Sequence, residues 1–445
     1  MKKLLSILMV AVVIAGASCK KEPNELQAVS LKVTVALDQA LSGYTFNLAD
    51  AEITATNLTS GKVNTAKADA SGVVNFSSIS PGNYDVKATL TVKAEDYTTI
   101  TGTFVEDDVV LNGTLTNKTV SDASTSLNID IKAGRVGGWV FKQIYYAGSH
   151  TSNGASFRDQ FIEIYNNSNE ILYADSLYFA QVEGVNTRLS SIDFSLPYLR
   201  SNGQYDWTKS IGMNDVNANE NYTYARSLFM IPGTGKQHAV LPGKSIIIAG
   251  TALNHKAPFT NNTGKEVTVK DPSLTVDLSG ADFEVYLGDF PGNTPLATDM
   301  DNPAITNMVN YARGVGKDLI LDATGRDAYV LFKSSQPVSA WKKYPSPDET
   351  SITTSTDYFY QVPNTLLLDA VQIQVPLETS RIPRKLHDGL DAGPVFVSKG
   401  QYSSQSLIRK TSKTVNGRVV LKDTNNSAND FTELNTPDVT KSVFK

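Results

Sequence analysis

Short apolar runs that alternate with polar residues, each bounded by Gly, Pro, Asn or Asp, recur along most of this chain. In the first of them, Leu31, Val33, Val35 and Leu37 occupy every second position. Side chains point to opposite faces along a strand, so this pattern predicts a strand with one buried face. Patterns with helical spacing are almost absent. We therefore expect an all-β protein, because strands of this kind are buried by packing sheets together.

The first group of predicted strands indicates a small β-sandwich over residues 28–133. Its predicted strands lie at 31–37, 51–58, 72–79, 84–92 and 127–134. The stretch "SGVVNFSSISPGNYDVKA" (71–88) combines a turn glycine, an apolar-x-Phe strand, a Pro-Gly turn and a Tyr-x-Val strand. This order resembles the carboxypeptidase regulatory-like sandwiches. The resemblance implies a prealbumin-like fold for the N-terminal quarter of the chain.

The N-terminus, "MKKLLSILMVAVVIAGASCKK", has the organisation of a signal peptide over residues 1–18. Lys2 and Lys3 form a positive region, and the apolar run that follows is too short to span a bilayer. Small residues then lead directly to Cys19, the only cysteine in the chain. A single cysteine leaves the mature protein without a possible internal disulfide.

Cys19 and the residues before it resemble the lipobox of bacterial lipoproteins. The resemblance implies cleavage before Cys19, a lipid on its thiol, and a lipidated tether over residues 19–27. Each buried CH₂ of an acyl chain contributes ~0.8 kcal/mol, so two or more chains anchor a protein stably. The residues after Cys19, "KKEPNELQ" (20–27), resemble the export signal of Bacteroidetes surface lipoproteins, which implies an outer-membrane lipoprotein exposed at the cell surface, with the periplasmic face as the alternative. An ordinary signal peptide with a chance cysteine is the other interpretation.

The charge of the chain argues against nucleic acid as a partner. Removal of residues 1–18 changes the formal net charge from −5 to −7. A mildly acidic protein without a basic cluster lacks the positive surface that phosphate backbones require. The membrane, reached through the lipid anchor, is the partner that the sequence itself predicts.

A second predicted β region follows the glycine-rich break "AGRVGG" and covers residues 139–445. Four segments occur in order: "VFKQIYYAG", "DQFIEIYNNSNE", "VLPGKSIIIAG" and "SLIRK…DTNNSANDF". Together they resemble a lamin-tail-like immunoglobulin domain. We expect a larger immunoglobulin-like β-sandwich with long insertions near 186–237 and 291–363. The whole arrangement resembles an uncharacterised family of Bacteroidetes cell-envelope lipoproteins.

Glu163 raises the question of catalysis, because it lies between Phe161 and Tyr165 on an otherwise apolar strand. A catalytic glutamate needs a partner acid, base or metal at fixed geometry. Asp159 is on the same face but about 13 Å away by strand rise. In the lamin-tail-like pattern this glutamate belongs to the fold. We therefore interpret Glu163 as structural.

No metal or cofactor is expected from the sequence. The four histidines, none of which has a metal-ligand spacing, are His150, His238, His255 and His387. The segment from Asp423 places Ala428 where a calcium loop needs glycine, and Leu434 where it needs a bidentate Glu. Motifs of nucleotide-binding and hydrolytic enzymes are absent from the sequence. These features favour a protein that is not an enzyme.

Aromatic residues interleaved with Asn, Asp and Thr mark the two predicted insertions as a candidate ligand surface. The candidate residues are Tyr205, Trp207, Tyr222, Tyr224, Trp341 and Tyr344. Aromatic rings offer contact area at a low entropy cost, and their polar tips can donate hydrogen bonds. The alternative is that these rings only pack the insertions onto the sandwich.

The function that these features favour is a non-catalytic binding or assembly module of the cell envelope. The resemblance to envelope lipoproteins implies work beside an outer-membrane nutrient receptor, with a nutrient or a glycan as ligand. One alternative is a hydrolase whose carboxylate site is built from the insertions, around Asp299, Asp301 or Glu163. The other alternative is a structural or adhesive surface protein.

The lipid anchor leads to a direct prediction. Cys19→Ala removes the thiol that would carry the lipid, so the variant should incorporate no radiolabelled fatty acid. The protein should then be found unanchored or with its signal peptide still attached. Wild-type protein and a Ser18→Ala variant, which keeps the thiol, serve as controls. Label that persists in Cys19→Ala would show that the lipid is not attached there.

Overall fold

The structure is a computed structural model that describes residues 28–38, 41–101, 105, 108–121, 124–133, 138–314, 316–415 and 417–445. The strands of the N-terminal part are β1 Val29–Leu37, β2 Glu52–Asn57, β3 Val63–Lys67, β4 Val73–Ile79, β5 Gly82–Val92, β6 Val109–Val120 and β7 Ser124–Ala133. Those that follow are β8 Trp139–Tyr145, β9 Phe161–Asn166, β10 Leu172–Tyr173, β11 Leu177–Val182, β12 Tyr222–Met230, β13 Ala239–Val240, β14 Ser245–Ala249, β15 Phe259–Thr260, β16 Glu266–Val267, β17 Phe283–Glu284, β18 Thr306–Asn307, β19 Val309–Arg313, β20 Ala328–Lys333, β21 Lys343–Tyr344, β22 Phe359–Pro363, β23 Leu367–Gln372, β24 Ser406–Arg409, β25 Thr411–Val415, β26 Arg418–Leu421 and β27 Phe431–Leu434.

Helices are few and short in this part of the chain. The α-helices are α1 Ala94–Thr101, α2 Ala218–Asn221 and α3 Ser427–Asp430. The 3₁₀ helices are Leu48–Asp50, Leu189–Ser191, Trp207–Lys209, Pro272–Leu274, Val338–Ala340, Asn364–Leu366 and Glu378–Ser380. The prediction of an all-β protein with a sandwich arrangement is confirmed.

The N-terminal strands form one folded sheet in the order β3-β2-β5-β6-β7-β1-β4. Only the pairing of β1 with β7 is parallel among the described strands of this sheet. The inward side chains close a core of their own, with Leu31, Val33, Ile53 and Val86 fully buried. This alternation of buried and exposed side chains is the one that the sequence pattern predicts. It leaves the opposite face of β2, β5 and β6 polar.

The C-terminal part packs two seven-stranded sheets against each other. One runs β18-β17-β14-β9-β8-β24-β27, and the other runs β21-β22-β12-β11-β20-β23, with β19 beside β12. Side chains from both sheets meet in the largest buried apolar cluster, which includes Phe141 and Ile164 from the first and Phe179 and Leu331 from the second. The rings of Phe141 and Phe179 meet edge to face at 6.4 Å. Burial of this shared face holds the two sheets together.

The two ranges predicted as insertions, 186–237 and 291–363, also contain strands of the sandwich. Strand β12, within 186–237, pairs with β11 and β22 in the middle of the second sheet. Strand β20, within 291–363, pairs with β11 and β23 in the same sheet. Both strands bury apolar side chains on both faces, so their sequences lack the clean alternation that identified the other strands. The irregular parts are the segments before and between these strands.

A buried arginine joins the two sheets. Arg409 on β24 donates from Nη2 to Asp369 on β23 at 2.5 Å and from Nε to the carbonyl oxygen of Phe141 at 2.7 Å. Asp369 also accepts the backbone N–H of Phe141 at 2.7 Å. On its other edge, Arg409 contacts Asp423 at 3.2 Å and Asp430 at 3.7 Å. The Asn- and Asp-rich segment from Asp423, which partly resembles a calcium loop in sequence, is therefore part of a structural ion cluster.

Glu163 is also part of a buried ion pair. Lys142 lies 3.0 Å from Glu163, and both side chains are almost fully buried. Ser245 donates a hydrogen bond to Glu163 at 2.5 Å. The ammonium of Lys142 donates to the carbonyl of Lys441 at 2.8 Å and lies 4.1 Å from the ring centre of Phe444, so the C-terminal segment covers the pair. This arrangement matches the structural interpretation of Glu163.

Several predictions from the sequence fall on residues outside the described ranges. They are the signal peptide (1–18), Cys19 with the tether (19–27), and most of the glycine-rich break at 133–138. Across the described ranges, no strand of residues 29–133 pairs with a strand of residues 139–434. No helix in those ranges is long and apolar enough to cross a membrane.

Candidate functional site

Four of the six candidate aromatic residues line one cleft, which we call the aromatic cleft. They are Tyr205, Trp207, Tyr222 and Tyr224. The polar residues of the cleft include Glu183, Arg200, Gln204, Asn219, Lys385 and His387. The cleft is shallow, with a cavity volume of about 30 Å³, which admits one or two water molecules or a small part of a larger ligand.

The floor of the aromatic cleft is a stack of two rings. Asp206 caps the 3₁₀ turn Trp207–Lys209 by accepting from the backbone N–H of Thr208, which directs Trp207 inward. Asn219 accepts from the backbone N–H of Trp207 at 2.8 Å. The ring of Trp207 then stacks on Tyr224 of β12 with 3.5 Å between centroids and 9° between planes. Both rings are buried, so most of their area supports the fold.

Three further candidate rings surround this stack and are only partly buried. Tyr205 meets Trp207 edge to face at 6.0 Å and donates its hydroxyl to Asp348 at 3.1 Å. Tyr222 and Tyr344 pack against the same cluster. Burial raises the pKa of Tyr205, with the nearby charge of Asp348 adding to this effect, so its hydroxyl stays protonated at neutral pH. These rings are the part of the predicted surface that a ligand can reach.

Trp341 lies in a different cluster. Its ring centre is 5.5 Å from that of Phe332 and 6.0 Å from that of Tyr178, on the outer face of the second sheet. Trp341 is not among the residues that line the aromatic cleft. The predicted surface is thus divided between two places, because the chain from 341 to 344 crosses from one cluster to the other.

One side of the cleft is formed by an ion cluster around Glu220. Arg200 donates to Glu220 at 3.1 Å, and Nε2 of His387 lies 2.6 Å from the same carboxylate. The hydrogen bond from His387 lowers the pKa of Glu220 to about 2. Nδ1 of His387 accepts the backbone N–H of Gly389 at 3.0 Å. Glu220 is therefore ionised, and both ring nitrogens of the histidine have partners.

The opposite side of the cleft contains a second group of charges. Asp327 is buried and accepts from Arg226 at 2.9 Å, from Lys385 at 3.1 Å and from Gln181 at 3.0 Å. Glu183 lies close to both cations, yet burial dominates and raises the pKa of its carboxyl group. Glu183, which lines the cleft, and Glu220, which lies behind Arg200 and His387, therefore have pKa values shifted in opposite directions.

Sequence reasoning did not identify the charged residues of the cleft. Glu183 directly follows strand β11, whereas Lys385 and His387 belong to a segment about two hundred residues later in the chain. Only the short basic run "RKLH" (384–387) offered a local signal, and it has no specific motif. The charges meet because β11 and β12 are paired and the segment after β23 folds back onto them.

The carboxylates considered for a hydrolase do not meet in this cleft. Glu163 is paired with Lys142, and Asp301 is exposed and accepts from Asn307. Asp299 is fully buried, and burial raises its pKa to about 7. None of these three acids is a lining residue of the aromatic cleft. In the described part of the chain, no three His, Cys, Asp or Glu side chains are grouped to hold a metal ion.

Comparison with protein families supports the resemblance to a Bacteroidetes family. A family described as "Protein of unknown function (DUF4876)" matches residues 241–438. The crystal structure of a DUF4876 family protein from Bacteroides thetaiotaomicron VPI-5482 is similar over 91% of this chain and 94% of that chain. The two share 25% sequence identity and superpose with a TM-score of 0.50. This similarity covers both β regions.

The similarity to a second solved structure is weak. A DUF3823 family protein from Bacteroides uniformis ATCC 8492 aligns over 76% of this chain and 97% of that chain, with 10% identity and a TM-score of 0.16. That TM-score is too low to indicate a shared fold. No curated protein matches the sequence.

The ring stack predicts which aromatic residues support the fold. Trp207→Ala should lower the free energy of unfolding by ~3–5 kcal/mol, because it removes a buried ring and leaves a cavity beneath Tyr224. Tyr358→Ala, at an exposed position, should change it by less than about 0.5 kcal/mol. Denaturant titration of both variants measures the difference. If Trp207→Ala unfolds like the wild type, the ring does not support the fold.

Proposed function

We propose that this chain is a lipid-anchored outer-membrane protein that binds a ligand in the aromatic cleft and does not change it chemically. The lipobox-like sequence ending at Cys19 supports the anchor. The composition of the cleft supports the binding role. Work beside an outer-membrane nutrient receptor at the cell surface, with a nutrient or glycan as ligand, is part of this proposal.

The observation that carries the binding role is the rigid support beneath the exposed rings. The buried Trp207–Tyr224 stack fixes the partly exposed rings of Tyr205 and Tyr222 at the cleft. Rings that are already ordered before binding lose little entropy when a ligand contacts them. Gln204 and Asn219 place amide groups at the same cleft. Ordered rings beside amide groups suit a ligand with apolar faces and polar edges.

The charges of the cleft favour binding over catalysis. Arg200 and His387 are paired with Glu220, and Lys385 is paired with Asp327. Among the described residues that line the cleft, Thr223 is the one with a serine or threonine hydroxyl group. This hydroxyl donates to Asn364 at 2.7 Å and not to a base. These groups therefore do not place a hydroxyl nucleophile within reach of a general base.

A hydrolase is the second candidate, and one observation favours it. Glu183 lines the cleft, Glu220 is paired with the lining residues Arg200 and His387, and the pKa values of the two glutamates are shifted apart. Carboxyl groups shifted in this way can serve as acid and base in hydrolysis. A structural or adhesive role, the third candidate, would use neither the cleft nor these acids.

A ligand screen tests the proposed function. The detergent-solubilised full chain is screened against amino acids, peptides, nucleosides, vitamins and mono- and oligosaccharides by thermal denaturation. We expect a ligand that raises the midpoint for the wild type and for Leu241→Ala, an exposed control outside the cleft. Tyr205→Ala together with Tyr222→Ala should weaken binding about thirtyfold or more, since exposed aromatic anchors contribute ~2 kcal/mol.

The same samples distinguish binding from hydrolysis. Chromatography of the bound compound should recover it unchanged after prolonged incubation. Products that form with the wild type and not with Glu183→Gln would contradict the binding role and support the hydrolase. Equal stabilisation of the wild type and the double tyrosine variant would place the ligand outside the aromatic cleft.

A further inference from the structure

A long groove continues from the aromatic cleft and runs between the N-terminal and C-terminal parts of the chain. It shares Gln204 and Arg384 with the cleft. The groove has a cavity volume of about 570 Å³, within the roughly 300–1,000 Å³ of small-molecule sites and much larger than that of the aromatic cleft. The side chain of Asn112 donates to the carbonyl oxygen of Thr424 at 2.7 Å and connects the two parts. A groove of this size suits an extended ligand.

One wall of the long groove is the polar outer face of the N-terminal sheet. Thr54 of β2 lies opposite Lys87 of β5, which lies opposite Thr114 of β6, so the three form one row across the sheet. A second row contains Thr56 and Asp85. Four threonines, Thr54, Thr56, Thr114 and Thr116, line this wall. Among the described groups, Oγ1 of Thr114 has no hydrogen-bond partner. That oxygen is shielded from solvent, so Thr54, Thr56 and Thr116 supply the hydroxyl groups that this wall presents to a ligand.

The opposite wall contains a group of apolar side chains beside polar ones such as Gln374 and Arg381. Leu189, Phe194 and Pro383 line it. Phe194 remains 46% exposed, and Leu58 at the rim of the threonine wall is 48% exposed. Large apolar side chains that stay exposed within one groove often mark a binding surface. Here they face a wall of hydroxyl groups, so the groove is amphipathic across its width.

The charges along the groove are of both signs. Asp85 and Lys87 occupy neighbouring rows of the same strand, and Arg384 is paired with Asp388. Burial raises the pKa of Asp85 and lowers that of Lys87. Arg381, which is paired with Glu378, also lines the groove, so three cations and two acids nearly balance and give no strong preference for a highly charged ligand. The groove therefore suits a neutral ligand.

An extended peptide fits this groove less well. Peptides that lie along a sheet usually pair with an edge strand, because the edge offers free N–H and C=O groups. Strands β2, β5 and β6 are interior strands in the order β3-β2-β5-β6-β7, so their backbone groups are paired within the sheet. Sugar rings instead combine apolar C–H faces with hydroxyl edges. The C–H faces suit the apolar side chains of one wall, and the hydroxyl edges suit the threonines of the other.

We propose that the aromatic cleft and the long groove form one binding site for an extended neutral oligosaccharide, to which the N-terminal sandwich contributes one wall. This proposal rests on the proposed binding function and adds the class of ligand. The apolar faces of the sugar rings contact Phe194 and Pro383, and their hydroxyl groups bond to the threonine rows. The N-terminal sandwich is then part of the site.

Calorimetric titration with linear neutral homo-oligosaccharides, α- and β-linked, of two to eight units tests this proposal. The detergent-solubilised full chain is used throughout. We expect affinity to increase with length until the groove is filled. Phe194→Ala and Thr116→Val should each weaken binding of the longest oligosaccharide about tenfold, and should leave binding of the disaccharide unchanged. Leu241→Ala is the matched apolar control, and thermal melts confirm that each variant is folded.

The titrations distinguish an error in the role of the groove from an error in the proposed binding function. Affinity that is independent of length, or groove variants that bind every oligosaccharide like the wild type, would overturn the role of the groove. Loss of binding in the double tyrosine variant would then still support the cleft. If no neutral oligosaccharide binds while another compound of the wider screen binds in the cleft, the class of ligand is wrong. Binding of charged oligosaccharides alone would also contradict it.

Discussion

The C-terminal sandwich depends on one buried arginine that is shared by both of its sheets. Arg409 neutralises Asp369 across the sheet interface and, on its other edge, contacts Asp423 and Asp430. Three carboxylates around one cation remain buried only because each has a hydrogen-bond donor, and removal of one partner from such a pair typically costs ~3–5 kcal/mol. Arg409 therefore fixes the position of β24 relative to β23 across the sheet interface. The closing "SLIRK…DTNNSANDF" segment belongs to the fold.

The same region positions the candidate site. Asp391 accepts from the backbone N–H groups of Gln372, at the end of β23, and of Ser427, in the segment that contacts Arg409. The chain between β23 and Asp391 carries Lys385 and His387 to the cleft. The ion cluster between the sheets and the charges of the cleft are thus connected through a few backbone hydrogen bonds. A rigid frame of this kind allows irregular segments to form a binding surface without a regular element beneath each residue.

Local pattern predicts the local parts of this structure. Alternation along "LKVTVAL" predicts β1, whereas the pairing of Glu163 with Lys142 depends on the contact between β8 and β9. Strand β12 is harder to predict, since "YTYARSLFM" is buried on both faces and lacks alternation. The burial of Trp207 depends on its contact with Tyr224, which no local pattern specifies. The meeting of Glu183 with Lys385 depends on the path of about two hundred intervening residues. Tertiary contacts of this kind are not encoded in any one segment.

The proposed entry of a ligand into the aromatic cleft can be measured directly through the tryptophans. The chain contains three, Trp139, Trp207 and Trp341. Trp139 is buried in the sandwich core, Trp207 lines the cleft, and Trp341 lies in the separate cluster near Phe332. The full chain labelled with 5-fluorotryptophan gives three ¹⁹F resonances, each assigned by a Trp→Phe variant. Titration with a neutral hexasaccharide should shift the Trp207 resonance to saturation and leave the other two in place. Calorimetric binding accompanied by a shift of Trp341 alone, or by no shift at all, would contradict the account.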